Sequence, residues 1–299
     1  MGSKRRTIGV DLGGTGISFI DMFSPDEVNV RYRIDTPKTR DEIVAALIGT
    51  LRGLMEKRDL PKPAGIGVAV AGQVGEKSIV FSPNLPFKTE YPLGEELERA
   101  LDLPVTIEND ANSAAIGERI FGAAQGMDDF IVLTLGTGIG SGIFANGKLL
   151  RGHTGAGGEA GHIPLLPGGP LCGCGQKGCL EALASGTAIA NAYREKTGKI
   201  ATAKEVCGLA AQGDAAAQEV LRTAGEWLGA GLVALINLFN PQAVFFTGSL
   251  SKAPDIYFEP ALKKARESSF GTSGKDVVIE VSKLADAIGV IGAASLPLL

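Results

Sequence analysis

The chain has 299 residues, 44% of them hydrophobic and 21% charged, with a formal net charge of -4 and a pI near 5.4. Those proportions exclude a disordered or fibrous chain. The acidic balance, without a long Lys/Arg run, argues against nucleic acid as the main partner, because phosphate neutralisation needs a basic face. The most apolar stretch, Trp227 to Phe239, is interrupted by Asn237 and closed by Asn240-Pro241, short of the roughly 20 residues of a membrane span. No transmembrane helix and no membrane partner are expected. The length exceeds one hydrophobic core, so two packed lobes with ligand held in a cleft between them are expected.

Glycine, at 42 residues, has about twice its usual share and clusters at the ends of apolar strands. The chain opens with a strand (Thr7 to Asp11), a glycine turn (Leu12 to Gly16) and a second strand (Ile17 to Met22). An amphipathic helix follows over Asp41 to Arg58, with Ile43, Leu47, Leu51, Leu54 and Met55 on one face. Next come an apolar strand (Gly65 to Val70), a short buried strand (Val105 to Glu108) and a helix from Asp110 through Phe121, capped by Asn109 or Asp110.

The opening pattern then returns, with Phe130 to Leu135 as strand, Gly136 to Gly140 as turn and Ser141 to Phe144 as strand. Asp11-Leu-Gly-Gly-Thr-Gly-Ile-Ser18 runs parallel to Thr134-Leu-Gly-Thr-Gly-Ile-Gly-Ser141, which predicts two related lobes. The rest reads as a loop (Arg151 to Gly178), helices over Gly186 to Lys196, Lys204 to Gln212 and Asp214 to Phe239, and a strand over Ala243 to Thr247. A helix over Tyr257 to Ser268, a strand over Val277 to Val281 and a helix from Ala287 complete it.

In a P-loop or Rossmann motif the glycines lead into a helix; here each turn leads into a strand. Both turns therefore read as hairpin tips whose backbone N–H groups bind anions. Asp11, Gly13, Gly14 and Thr15 form one half of a candidate phosphate cradle, and Gly136, Thr137 and Gly138 the other. Asp11 suits Mg²⁺, directly or through water. Two ordinary hairpins are the alternative. Phosphoryl transfer also needs a group to take the proton of the attacking hydroxyl. Asp110, in Glu108-Asn-Asp-Ala-Asn112, follows a buried strand and opens a helix, which makes it the candidate base; a plain helix cap is the alternative.

His162, Cys172, Cys174 and Cys179 supply one nitrogen and three sulfurs, the closed tetrahedral set of a structural zinc. Such clustering points to a reducing cytoplasm rather than a secreted disulfide framework. Cys207 lies apart on an apolar helix face and reads as core; His153 has no comparable company. Glu159 and Glu181 flank the metal set, which would fix both carboxylates to one scaffold where they accept hydrogen bonds from sugar hydroxyls. With one ring nitrogen of His162 on zinc, the other can donate to a sugar oxygen. For the glutamates, solvated loop charge is the alternative.

These residues resemble the ROK family of repressors, open reading frames and kinases, and the resemblance spans the chain. Asp11-Leu-Gly-Gly-Thr15 and Leu135-Gly-Thr-Gly-Ile-Gly-Ser-Gly142 are similar to its two phosphate motifs, and Thr247-Gly-Ser-Leu-Ser251, with Gly248, to its adenosine-side turn. Glu108 to Asn112 resembles the catalytic segment, with Asp110 as base and Asn109 on the sugar. Glu159-Ala-Gly-His162 and Cys172-Gly-Cys-Gly-Gln-Lys-Gly-Cys-Leu-Glu181 resemble its sugar and zinc motif.

The resemblance implies an α/β, two-lobed actin-like ATPase (ribonuclease H-like) fold with a cleft. One lobe is expected over 1–113, with the C-terminal helix 287–299 as a candidate to complete it, and the other over 114–286. It also implies sugar contacts at Gly72 and Asn84, a homodimer, and ATP with Mg²⁺ phosphorylating a hexose at C6. Glucose is the first choice; N-acetylglucosamine, N-acetylmannosamine or a non-catalytic sugar sensor is the alternative. Phe87, where Trp is common, and the less glycine-rich Thr247-Gly-Ser depart from the pattern. With ten residues before Asp11, the DNA-binding module of family repressors is not expected. A structural or chaperone ATPase would have no use for the zinc loop.

Overall fold

The computed structural model describes residues 5–56, 59–284 and 287–299; Arg58, the expected end of the first helix, lies outside them. Near the start, β1 (Thr7–Leu12) and β2 (Gly16–Ser24) pair antiparallel through the first glycine turn. β3 (Glu27–Asp35) extends this hairpin as an edge strand. After α1 (Arg40–Met55), β4 (Ile66–Val70) pairs parallel with β1. Its five residues are all buried, as expected of a central parallel strand. A small pair, β5 (Gln73–Val74) and β6 (Ile79–Phe81), and α2 (Leu93–Leu101) precede β7 (Val105–Asn109), which pairs parallel with β4 and runs directly into α3 (Asp110–Phe121). The sheet order is β3-β2-β1-β4-β7.

The same order then repeats. β8 (Phe130–Leu135) and β9 (Ile139–Ala145) pair antiparallel through the second glycine turn, and β10 (Lys148–Leu149) adds antiparallel to β9. The helices α4 (Leu180–Ala184), α5 (Gly186–Thr197), α6 (Ala203–Ala211) and α7 (Ala215–Phe239) follow. β11 (Ala243–Thr247) then pairs parallel with β8. Beyond it come α8 (Asp255–Ser268), the single turn α9 (Ser273–Asp276), β12 (Val278–Val281), parallel to β11, and α10 (Ile288–Ser295). The second sheet reads β10-β9-β8-β11-β12. Two sheets with the same order and strand senses bear out the two related lobes that the doubled motif predicts, and form the actin-like, ribonuclease H-like architecture that the family resemblance implies.

Each sheet has its own apolar core, one including Ile8, Val10, Leu47, Leu51 and Val68, the other Ile131, Leu133, Leu228, Leu232 and Val244. The chain divides into a first unit running to Gly126 and including Arg151–Gly157 and Ala287–Leu299, and a second of Met127–Leu150 with residues 158–286. A boundary at 113/114 would cut α3 in half; the first unit continues because α3 packs on α10. Their backbones approach so closely that a Cβ on Gly117 would lie 2.9 Å from Gly292 Cα. α10 also lies on β1 and β4, where a Cβ on Gly67 would lie 1.9 Å from the Ala293 carbonyl.

A buried bidentate pair fixes the start of β1: Arg6 donates to both oxygens of Asp21 at 2.9 Å, and to the carbonyls of Leu54 and Pro61 at 2.7 Å. These bonds satisfy a charge pair that burial alone would destabilise. α7 is capped by the Asp214 carboxylate and stops at Asn240, which is left-handed and followed by Pro241. Among the described residues no helix is long and apolar enough to cross a membrane.

Candidate active site: two glycine turns and a metal-ligand cluster

In the first unit the β1–β2 turn closes with Gly13 N–H donating to the Gly16 carbonyl at 3.1 Å. Thr36, at the end of β3, donates its hydroxyl to the Gly13 carbonyl at 2.6 Å. Gly14 is pressed against Asn84, whose carbonyl would lie 2.9 Å from a Cβ at position 14. The structure thus brings Asn84 to the first turn. Thr15 and Gly14 are exposed at the tip, while Asp11 at the end of β1 lies beside α10, its Oδ2 2.9 Å from where a Gly289 Cβ would stand. Burial raises the Asp11 pKa above the ordinary carboxylate value, and the Arg33 guanidinium opposes this.

The β7–α3 junction resolves the cap. Asn109 has extended φ/ψ of -60°/147°, and its side-chain oxygen accepts from Ala111 and Asn112 N–H at 2.9 and 3.1 Å. Its amide nitrogen donates to the Gly72 carbonyl at 3.1 Å, which brings Gly72 and Asn109 together. Gly72 has φ 149°, and a Cβ there would lie 2.3 Å from the Phe81 carbonyl, so both torsion and space require glycine. Asp110 is the first helical residue, with Oδ1 accepting from Ala111 N–H at 2.9 Å.

Sequence reasoning missed the support beneath this segment. Glu108 is buried and accepts from Asn109 N–H (2.9 Å), Asn112 Nδ2 (3.0 Å) and Arg151 Nε (2.8 Å). Arg151 is 43 positions away, beyond any local pattern.

In the second unit the β8–β9 turn closes with Gly136 N–H on the Gly138 carbonyl at 3.0 Å. The N-terminus of α5 holds its carbonyls: Gly186 N–H donates to Gly136 at 2.8 Å, and the Thr187 hydroxyl to Thr137 at 2.9 Å. Gly248, after β11, has φ 88°, and a Cβ there would lie 2.5 Å from the Leu135 carbonyl at the end of β8. A Cβ on Gly136 would stand 3.9 Å from the Ser249 hydroxyl, so Gly248 and the second turn are brought together.

Beside that turn, His162, Cys172, Cys174 and Cys179 place their ligand atoms within 4.8 Å of one another. His162 Nδ1 lies 3.6 Å from Cys172 Sγ, and Cys174 Sγ 3.7 Å from Cys179 Sγ. A zinc tetrahedron with bonds of about 2.0–2.3 Å has edges of roughly 3.5–3.8 Å; these two pairs match such an edge, the four donors lie within 4.8 Å, and one nitrogen with three sulfurs is a zinc donor set, with Nδ1 inward and Nε2 left for another partner. The loop reaches this shape through Gly178, with φ 73° and a would-be Cβ only 1.7 Å from the Leu166 carbonyl. Burial pushes the Cys172 thiol up to about 12 and also raises Cys179, whereas a hydrogen bond from the Gln176 backbone lowers Cys174. A bound cation would deprotonate them.

Glu181 is no solvated loop charge. Its Oε2 accepts from Ile139 N–H at 2.9 Å, and its Oε1 lies 3.5 Å from Cys172 Sγ. One carboxylate therefore ties the metal-ligand cluster to the residue following the second turn. Glu159 is exposed at the start of the 3₁₀ turn that ends in His162. That turn lies on β9, where a Cβ on Gly161 would stand 2.0 Å from the Ile139 carbonyl. Cys207 is half-buried on α6 and packs against the second core.

The ROK family model matches residues 7–298. The chain belongs to the ROK family. Among ROK relatives, the glucokinase of Streptomyces coelicolor is 36% identical over 97% of this chain and 96% of its own. The ROK family glucokinase of Streptomyces griseus, solved with glucose and AMPPNP, has a TM-score of 0.82 at 35% identity, covering 97% of this chain and 98% of that one. The xylose repressor of Bacillus subtilis is 33% identical over 78% of this chain and 60% of the repressor.

Proposed function

We propose that this ROK family sugar kinase, an enzyme of the hexokinase type, transfers the γ-phosphoryl group of ATP to the C6 hydroxyl of glucose. The observation that carries this reading is the nearly full-length likeness to glucokinases, one of them solved with glucose and an ATP analogue.

In the proposed reaction Asp110 takes the proton of the attacking hydroxyl, which then displaces ADP in line. The segment suits this role because the cap belongs to Asn109, and Glu108 and α3 fix the junction on both sides. Asn109 spends one amide proton on Gly72; the other is assigned to a sugar hydroxyl, together with Gly72 and Asn84 nearby. Glu159, Glu181 and Nε2 of His162 complete the sugar contacts.

The amides of Gly14 and Thr15, and of Thr137 and Gly138, receive the phosphates; Gly13 and Gly136, whose own N–H groups close the two turns, shape the cradle, with Gly248 on the adenosine side. Mg²⁺, when bound near Asp11, neutralises phosphate charge. Zinc, when bound, supplies a rigid scaffold and no open coordination position. A homodimer belongs to the same proposal.

The test is an ADP-release assay with Mg-ATP across glucose, mannose, fructose, N-acetylglucosamine and N-acetylmannosamine, beside Asp110→Asn. Glucose is expected to give the highest kcat/KM with a 6-phosphate product, and the variant to lose about 10²- to 10⁴-fold in kcat. A product phosphorylated at C1, or a fully active folded variant, overturns the mechanism. Preferred turnover of an N-acetyl sugar moves the substrate. Sugar binding without turnover makes the protein a sensor, in line with its repressor relatives.

A further inference from the structure

The register of the first sheet places Asp11 opposite Ser18, and Ser18 opposite Arg33, so the three side chains stand in one row on one face. Arg33 comes from the edge strand β3 and bends over the first glycine turn. Its Nη2 donates to Thr15 Oγ1 at 3.3 Å. A Cβ on Gly16 would lie 2.2 Å from Arg33 Nε and 2.3 Å from Nη2, so the guanidinium rests directly on the Gly16 backbone. Gly16 has no positive φ, and its missing side chain leaves room for the guanidinium to lie against the turn. Among the described residues the Arg33 side chain has no ion-pair partner within 4.0 Å and no other hydrogen bond. A guanidinium offers five donors in a fixed fork matched to phosphate oxygens.

An exposed cation lying over the first glycine turn suits a ligand bearing negative charge. We infer that Arg33 is a nucleotide-phosphate ligand, supplying the side-chain positive charge at the first turn, where Asp11, Gly14 and Thr15 otherwise offer backbone amides, one hydroxyl and a carboxylate. This rests on the phosphate role of the turn in the proposed function. It also explains the neighbourhood of Asp11: without Arg33, the approach of a phosphate chain to a partly buried carboxylate would depend on Mg²⁺ alone.

The experiment compares wild type, Arg33→Lys and Arg33→Met by calorimetric titration with the non-hydrolysable Mg-AMPPNP and, separately, with adenosine, and follows steady-state kinetics on glucose. Thermal unfolding confirms that each variant folds, as expected for an exposed edge-strand residue. Arg33→Met is expected to weaken Mg-AMPPNP binding about 10- to 100-fold, leaving adenosine binding and the sugar KM within about twofold; Arg33→Lys, which keeps charge but loses the fork, falls between. Unchanged Mg-AMPPNP affinity in folded Arg33→Met overturns the inference, as does an equal loss of adenosine affinity. The two readings fail separately: a wild type that binds Mg-AMPPNP through Arg33 yet phosphorylates no sugar refutes the kinase reading alone. A wild type active on glucose, with Arg33→Met indistinguishable from it, refutes the Arg33 assignment alone.

Discussion

Replacing Gly138 by alanine tests whether Glu181 couples the metal-ligand cluster to the second turn. A Cβ at 138 would stand 2.3 Å from Glu181 Oε2 and 3.1 Å from its Cδ, whereas ordinary contact begins near 3.4 Å. The carboxylate is the movable partner and must retreat by about 1 Å, which stretches its 2.9 Å bond from Ile139 N–H past hydrogen-bonding range. A hydrogen bond to a charged group contributes about 1.5–3 kcal/mol, or roughly 10- to 100-fold in an equilibrium constant. Steady-state kinetics with glucose and Mg-ATP varied independently should show kcat/KM for the sugar lower by about that factor. Thermal unfolding should fall by a few degrees, about 2–4 °C per kcal/mol at this size. Wild-type kinetics in Gly138→Ala, or a structure of the variant with Glu181 unmoved, would refute the coupling.

Two further outcomes follow from burial. Because burial raises the folded pKa of Asp11, its contribution to stability is most favourable below the ordinary carboxylate range and is lost as pH rises through the folded value. Asp11→Asn should therefore raise the melting temperature of the ligand-free protein at pH 7, with the advantage shrinking in acid, while turnover with Mg-ATP collapses; a lower melting temperature at pH 7 would contradict this. For the cluster, the raised Cys172 and Cys179 thiols mean that protons compete with metal. Zinc retention against a chelator should fall from pH 7.5 to 5.5, and the stripped protein should melt several degrees lower with a raised sugar KM. Metal analysis finding substantially less than one zinc per folded chain would refute the site.

The parts of this molecule readable from sequence are those written locally. A glycine turn between two apolar strands, and four ligands close together in the chain, carry their geometry in their spacing. β3 escaped even though Val28, Val30, Tyr32 and Ile34 alternate with Asn29, Arg31 and Arg33, the period of a strand; the segment is strongly polar and none of these apolar residues is fully buried, and with it went Arg33. The choice of cap between Asn109 and Asp110 needed the backbone torsion at 109. Nothing periodic marks Arg151–Gly157 as part of the first unit, because its contacts are to distant positions: Arg151 pairs with Glu108, and Gln73 donates to the Thr154 carbonyl. The edge of that unit at Gly126 was likewise invisible, since it depends on α3 meeting a helix from the other end of the chain.

That last contact sets an order of events on the ribosome. β1, β2 and β4 emerge well before the helix that covers them, α10, which follows the whole of the second unit in the chain. At about 5–20 residues per second, the glycines of β1 and β4 wait many seconds for the backbone that packs on them, while the segments of the second unit between Met127 and residue 286 have already been synthesised. The first sheet, made before the second, is thus completed after it, and its exposed face is the surface a nascent-chain chaperone would meet.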